Sequence, residues 1–338
     1  MIRALLRPYI WYIKDFFEER SERIEGKNKN ICYINWWSVS NNELQWFTKF
    51  IEYNINENIN KNINFYSVMG PVKFLKEKTE AIKIFYTGEN VSQHRRYKSL
   101  KENKYRVQKF IRRRYLDYSN YGVDDVDLSL GFEDVKNDKY IRFPLWIIYF
   151  FEPRCNYVDI KNKIDFINNL RNKEVLNEAV VINGHDYFGT RSKICDDVKN
   201  ILNIKYAGKW RNNTTDLWNK YNNNKLEYIK QFKFNICPEN MDANQYVTEK
   251  IFEALYAGTI PIYHGAFNNP EPGIINRDRI ILWDFEGDNE ENIKLIKRLK
   301  NDETFYNKYI NQEKLLPYTA EFVYSQMEKL KEKIRDLL

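Results

Sequence analysis

Apolar residues recur along this chain at two spacings. Short runs such as "NICYINWW" (30–37), "NFYSVMG" (64–70), "AIKIFYTGEN" (81–90), "EAVVING" (178–184) and "TIPIYHG" (259–265) are bounded by turn formers. Each has the pattern of a strand buried on both faces. Between such runs apolar positions return every three or four residues. In "YVTEKIFEALYAG" (246–258), Val247, Ile251, Ala254 and Leu255 share one helical face. Thr248 is placed to cap that helix and Gly258 to close it.

The same alternation fills both halves. "NNELQWFTKFIEYNI" reads as a helix, and "DVDLSLGFE" and "KYIRFPLWIIYFFEP" complete the first half. "RSKICDDVKNIL", "YIKQFKFNIC", "DRIILWDF", "EENIKLIKRLKND" and "TAEFVYSQMEKLKEKIRDLL" carry the second. Strands alternating with helices predict parallel sheets covered on both faces. The fold class expected is therefore α/β, with two such units facing a cleft. The boundary falls within 155–175 and is set at 165/166, giving units 1–165 and 166–300 and a helical segment 301–338.

Composition narrows the picture. A chain of 338 residues, 43% hydrophobic and 16% aromatic, has enough apolar surface for two cores. Its net charge of +7 favours an anionic partner: a nucleotide sugar, a nucleic acid or an anionic lipid. Four scattered cysteines without a CxxC, and only three histidines, argue against a zinc site or a histidine-based centre. No run of about 18 apolar residues spans a membrane, and charges interrupt the N-terminal segment where a signal peptide would need an apolar core. The expected compartment is cytoplasmic. Two segments leave contact with a membrane surface open: the amphipathic "PYIWYIKDFF" near the N-terminus, and the basic stretch at 93–117.

Lys250 breaks a local rule. A cation in the first turn faces the positive end of the helix dipole, at a cost of about 0.3–1 kcal/mol. An incoming diphosphate reverses that sign, because free N–H groups and the ammonium then bind it together. An exposed lysine without a role is the alternative.

The residues around Lys250 resemble a known signature. "FKFNICPEN" followed by "YVTEKIFEALYAGTIPIYHGA" is similar to the donor-binding segment of the α1,3-fucosyltransferases, glycosyltransferase family 10. "YTGEN" (86–90) resembles that family's G-E-N segment. "DLSLGFE…KYIRFPLW", "TRSKICDDVKNI" and "GKWRNN" match further segments in order, over roughly residues 30 to 290. The resemblance implies a GT-B fold with two Rossmann-like domains, GDP-fucose as donor, an oligosaccharide acceptor, inversion at the anomeric carbon and no metal or other cofactor. Carried across residue by residue, it implies that Arg191 and Lys250 neutralise the donor diphosphate. Glu249 and Asn240 would hydrogen-bond donor hydroxyls, and Tyr246 would contact the nucleotide. Glu89 is the expected base: a carboxylate at the carboxyl end of "IKIFYTG", where Gly88 leaves room for a ligand.

Two departures stand out: Pro238 replaces an aromatic residue before Glu239, and His264 stands where the family often has tryptophan. "DDVD" (124–127) looks like a D-x-D metal motif, but the matching Asp127 opens the family's G-F-D-like segment, so no metal role is expected. A GT-B enzyme with another nucleotide sugar is one alternative. A nucleic-acid-binding protein is another; it would use "HRRYKSL…RRRY" and would leave the Y-V-T-E-K block unexplained.

Overall fold

The computed structural model describes residues 23–25, 30–36, 46–55, 60–91, 117–171, 175, 177–186 and 188–338. The amphipathic N-terminal segment and residues 93–116 of the basic stretch lie outside them. The chain divides into two compact units, Met1–Cys155 with Tyr324–Leu338, and Asn156–Val323. The division thus falls before the expected 165/166. The closing helix, Thr319–Leu337, begins in the second unit and ends in the first.

The first unit is built on β1 (Arg23–Glu25), β2 (Ile31–Ile34), β3 (Ile63–Tyr66), β4 (Ile82–Tyr86), β5 (Leu128–Gly131) and β6 (Tyr140–Arg142). They lie side by side in chain order, with β1 antiparallel to β2 and the others parallel. The apolar runs become buried strands, as fully covered parallel strands must. The Trp46–Asn54 helix closes one face through Trp46, Phe47, Phe50 and Ile51. Phe47 stacks on Phe65 with centroids 5.2 Å apart, and the Trp46 indole donates to Phe151 O at 2.8 Å.

The second unit is built on β7 (Asn177–Val181), β8 (Ile204–Tyr206), β9 (Phe232–Ile236), β10 (Ile260–Tyr263) and β11 (Ile281–Leu282). All are parallel, in the order β11-β10-β9-β7-β8. Read from β8, the order reverses between β7 and β9, the doubly wound arrangement whose switch point opens a crevice at the strands' carboxyl ends. The strand expected in "DRIILWDF" shrinks to two residues, because Arg277–Arg279 turns as a 3-10 helix before it. Gly258 (φ +77°) ends the Glu249–Tyr256 helix in the left-handed conformation that the turn into β10 requires.

Candidate active site

Three loops of the second unit meet at the carboxyl ends of β7, β9 and β10. The loop after β7 enters the Thr190–Val198 helix through Gly189, whose φ of +74° is left-handed. Asp186 caps this entry, accepting from the N–H groups of Arg191 (3.2 Å) and Ser192 (2.8 Å) and from the Ser192 hydroxyl (2.6 Å). That fixes Arg191, which is 3% exposed. Its Nη1 donates to His185 O at 2.8 Å and its Nη2 to Asn240 Oδ1 at 2.6 Å. Its Nε has no acceptor among the described residues. Burial lowers the guanidinium pKa from its ordinary value. Asn240 belongs to the loop after β9, so Arg191 and Asn240 touch across the strand-order reversal.

Next to them, the N-terminus of the Glu249–Tyr256 helix is already served by a carboxylate of the chain. Glu239, 1% exposed, accepts from the Thr248 N–H (2.8 Å), the Thr248 hydroxyl (2.8 Å), the Tyr263 hydroxyl (3.2 Å) and Lys250 Nζ (3.1 Å). Thr248 does occupy the cap position, but makes no side-chain cap; its hydroxyl is drawn to Glu239 instead. Lys250 also donates to Thr248 Oγ1 at 2.7 Å and lies 3.6 Å from Glu249 Oε1. Burial opposes the charge on Lys250, yet Glu239 and then Glu249 outweigh it and hold the ammonium protonated above the ordinary lysine range. Burial likewise opposes the Glu249 carboxylate, and Lys250 and Lys225 outweigh it, so its pKa falls. The local cost that the sequence raises at Lys250 is thus offset within the fold.

Tyr246 is 2% exposed, and its phenol is close enough to bias both Arg191 and Lys250 electrostatically. One helical turn beyond Glu249, the half-buried Glu253 is ion-paired with Lys225. Gly265 (φ +153°) follows β10 and lies against the cluster, since a Cβ there would fall 2.8 Å from Glu239 Cγ. Arg191, Asn240, Tyr246, Glu249 and Lys250 therefore share one site. A surface groove of about 530 Å³ at the amino ends of β7 and β8, lined by Glu178, Asn203 and Lys300 among others, contains none of them.

Glu89 sits in the first unit, three residues past β4 at that sheet's carboxyl edge, and is half-buried. Thr87 shapes the turn: its hydroxyl accepts from the Glu89 N–H (3.0 Å) and donates to Glu89 O (3.1 Å). The space at Gly88 is not left for a ligand. Leu145 fills it, with Cδ1 2.8 Å from where a Cβ would stand. This contact joins "YTGEN" to "RFPLW". Asp127 of "DDVD" accepts from the Lys83 N–H at 2.8 Å, a strand-anchoring bond.

Known families match stretches of both units. The family described as "Glycosyltransferase family 10 (fucosyltransferase) C-term" matches residues 170–334, and "Alpha-(1,3)-fucosyltransferase FucT N-terminal domain" matches residues 31–149. The chain belongs to glycosyltransferase family 10. Its relatives include the α-(1,3)-fucosyltransferase FucT of Helicobacter pylori, 24% identical over 272 residues, which cover 70% of this chain and 50% of that one. α-(1,3)-Fucosyltransferase B of Drosophila melanogaster is 25% identical over 57% of this chain and 40% of its own length. The chain spans about half the length of these curated relatives or less. Two solved structures of an α1,3-fucosyltransferase, one with GDP, share its fold. Their TM-scores are 0.53 and 0.52 at 19% and 18% identity, over 92% and 97% of this chain and 93% and 97% of theirs. The two parallel-sheet units are those of the GT-B fold.

In this family frame, Glu239 is the residue that the sequence reading passes over, although "PEN" displays it. "GKWRNN" also acquires a local role. Gly208 lets two loops touch, because a Cβ there would lie 2.0 Å from Asn183 O. Arg211 forks onto Asp196 (3.0 and 3.1 Å), and the Asn212 amide donates to Gly208 O (2.9 Å) and Thr214 O (3.0 Å). These bonds brace the loop after β8. His264 is buried, with Nδ1 3.0 Å from Trp283 O and its ring 5.5 Å from that of Phe285, so it packs against the segment that follows β11.

Proposed function

We propose that the chain is an inverting fucosyltransferase that moves L-fucose from GDP-fucose to a sugar hydroxyl, forming an α1,3 linkage to GlcNAc or a related residue. Family membership supports this, as do the names that its relatives carry. The observation that carries it is the 2.6 Å contact between Arg191 and Asn240 at the switch point of the second sheet. It gathers an arginine, an amide and the Glu249–Lys250 pair where a doubly wound sheet binds nucleotides.

In this proposal Arg191 meets the diphosphate. Its fork suits phosphate oxygens, and its charge offsets the one that develops on departing GDP. Lys250 adds a second cation whose position Glu239 fixes. Glu249, Asn240 and Tyr246 hold donor hydroxyls and the nucleotide. Glu89 takes the proton from the acceptor hydroxyl as it attacks the anomeric carbon on the face opposite GDP. With Arg191 at the leaving group and Lys250 beside it, transfer proceeds without a divalent metal.

Thermal shift tests the donor assignment. A ligand at 100 times its Kd stabilises the native state by about 2.7 kcal/mol. GDP should therefore raise the melting temperature, while UDP and ADP at equal concentration should leave it nearly unchanged. Equal shifts from all three would point to a different nucleotide-sugar donor.

A further inference from the structure

Arg279 is the most unusual charged group in the second unit. It lies at the end of the 3-10 turn before β11 and is 0% exposed. None of its three guanidinium nitrogens has a hydrogen-bond acceptor among the described residues. Its Cζ sits 5.6 Å from the centre of the Tyr309 ring, and Tyr306 packs alongside. Ring faces soften a buried cation, but they do not accept five N–H bonds.

Its neighbours deepen the imbalance. Lys314, also 0% exposed, donates to Ile167 O (2.6 Å) and Leu170 O (2.8 Å) at the end of the Tyr157–Asn169 helix. Asn276 ties the two segments together: it accepts from the Arg279 N–H (3.0 Å), and its own N–H donates to Lys314 O (3.0 Å). Arg171 bonds Asn168 O, Leu170 O and the Asn311 side chain. Burial lowers the Arg279 pKa to about 10 and that of Lys314 to about 7, and in both groups a neighbouring cation pushes the same way. Three basic side chains thus converge on carbonyls, an amide and aromatic rings. Asp278, its neighbour in the chain, is exposed and acts on Tyr309, and the Arg279 guanidinium hydrogen-bonds no carboxylate among the described residues.

A buried charge left without a counter-charge is among the most expensive features a fold can contain. We propose that Arg279, with Lys314 and Arg171 beside it, holds a chloride ion built into the second unit. The enclosure selects the anion. A monatomic halide needs little more room than a water molecule and has no fixed bond directions. It suits a guanidinium walled by tyrosine rings, where a phosphate would have to part those rings. This ion site is separate from the donor site and does not depend on the proposed transfer activity.

Crystals of the full chain grown with sodium bromide in place of chloride test the proposal directly. The expected result is an anomalous peak within hydrogen-bond distance of the Arg279 guanidinium. Thermal melting in sodium chloride against sodium gluconate, at matched ionic strength, gives the solution counterpart. Chloride should raise the melting temperature of the parent protein saturably and leave Arg279→Met unmoved. The crystal measurement uses only the parent chain, so a variant that fails to fold does not remove the test. A water molecule or a carboxylate of the chain on the Arg279 nitrogens, with no anomalous peak, would overturn it. So would a parent melting temperature that ignores chloride.

Discussion

Glu239→Gln tests the electrostatic reading of the active site most sharply. The carboxylate is enclosed and accepts from four donors, and one of them, Lys250, is itself only 16% exposed at the side chain. Removing one partner of a buried ion pair strands the other and costs about 3–5 kcal/mol. Two features hold the figure to the low end. Glu249 stays 3.6 Å from the same ammonium, and glutamine keeps one oxygen for the Thr248 N–H. We therefore expect a loss of about 3 kcal/mol, or about 6–12 °C in the melting temperature for a unit of this size. Lys250→Met should cost a similar amount, because it strands Glu239.

The double variant decides between pairing and mere packing. Glu239→Gln with Lys250→Met removes both charges, and a buried pair replaced as a whole is often nearly neutral. The double variant should be more stable than the sum of the single losses by about 2 kcal/mol or more. Melting curves of the four proteins at neutral pH measure this. A Glu239→Gln melting temperature within about 2 °C of the parent, or strictly additive single losses, would refute the coupling.

The remaining expectations concern the site and its supports. Arg191→Ala and Lys250→Ala should each weaken GDP binding, measured by calorimetry, by more than about 1 kcal/mol, the scale of a lost charge-assisted bond; unchanged affinity in both removes the diphosphate assignment. Glu89→Gln keeps the side chain's shape but not its basicity, so transfer should fall roughly 10²–10⁴-fold while GDP affinity holds; near-normal turnover places the base elsewhere. Gly208→Ala drives a methyl group against the Asn183 carbonyl and should cost at least about 2 kcal/mol in denaturant unfolding. Transfer should persist in EDTA; loss of activity that Mn²⁺ restores would show that a metal is required.

The strands are legible in the sequence because parallel strands covered on both faces become continuous apolar runs such as "AIKIFY" and "EAVVI", although the equally apolar "LWIIYF" folds as a helix after Pro144. Strand order is not legible. The reversal between β7 and β9 depends on which edge each crossover returns to, and no local pattern encodes that. β11 shortens for a related reason: the apolar run "RIILW" is real, but a turn captures its first residue and one edge partner leaves little to pair.

Lys250 shows why local rules stop short of a site. Helical spacing correctly places it in a first turn, where a cation is disfavoured, and suggests a phosphate as the remedy. The partner that helical spacing cannot show is Glu239, eleven residues upstream and on another element. Its carboxylate occupies the anion position at that helix N-terminus by accepting from the Thr248 N–H. A diphosphate therefore meets an end already neutralised, in which one ammonium faces two carboxylates. The cation with capacity to spare is Arg191, whose fork ends on a carbonyl and a neutral amide, both weak competitors for a phosphate oxygen. Donor affinity should therefore depend more on Arg191 than on Lys250, and Lys250→Ala should register in stability at least as strongly as in binding.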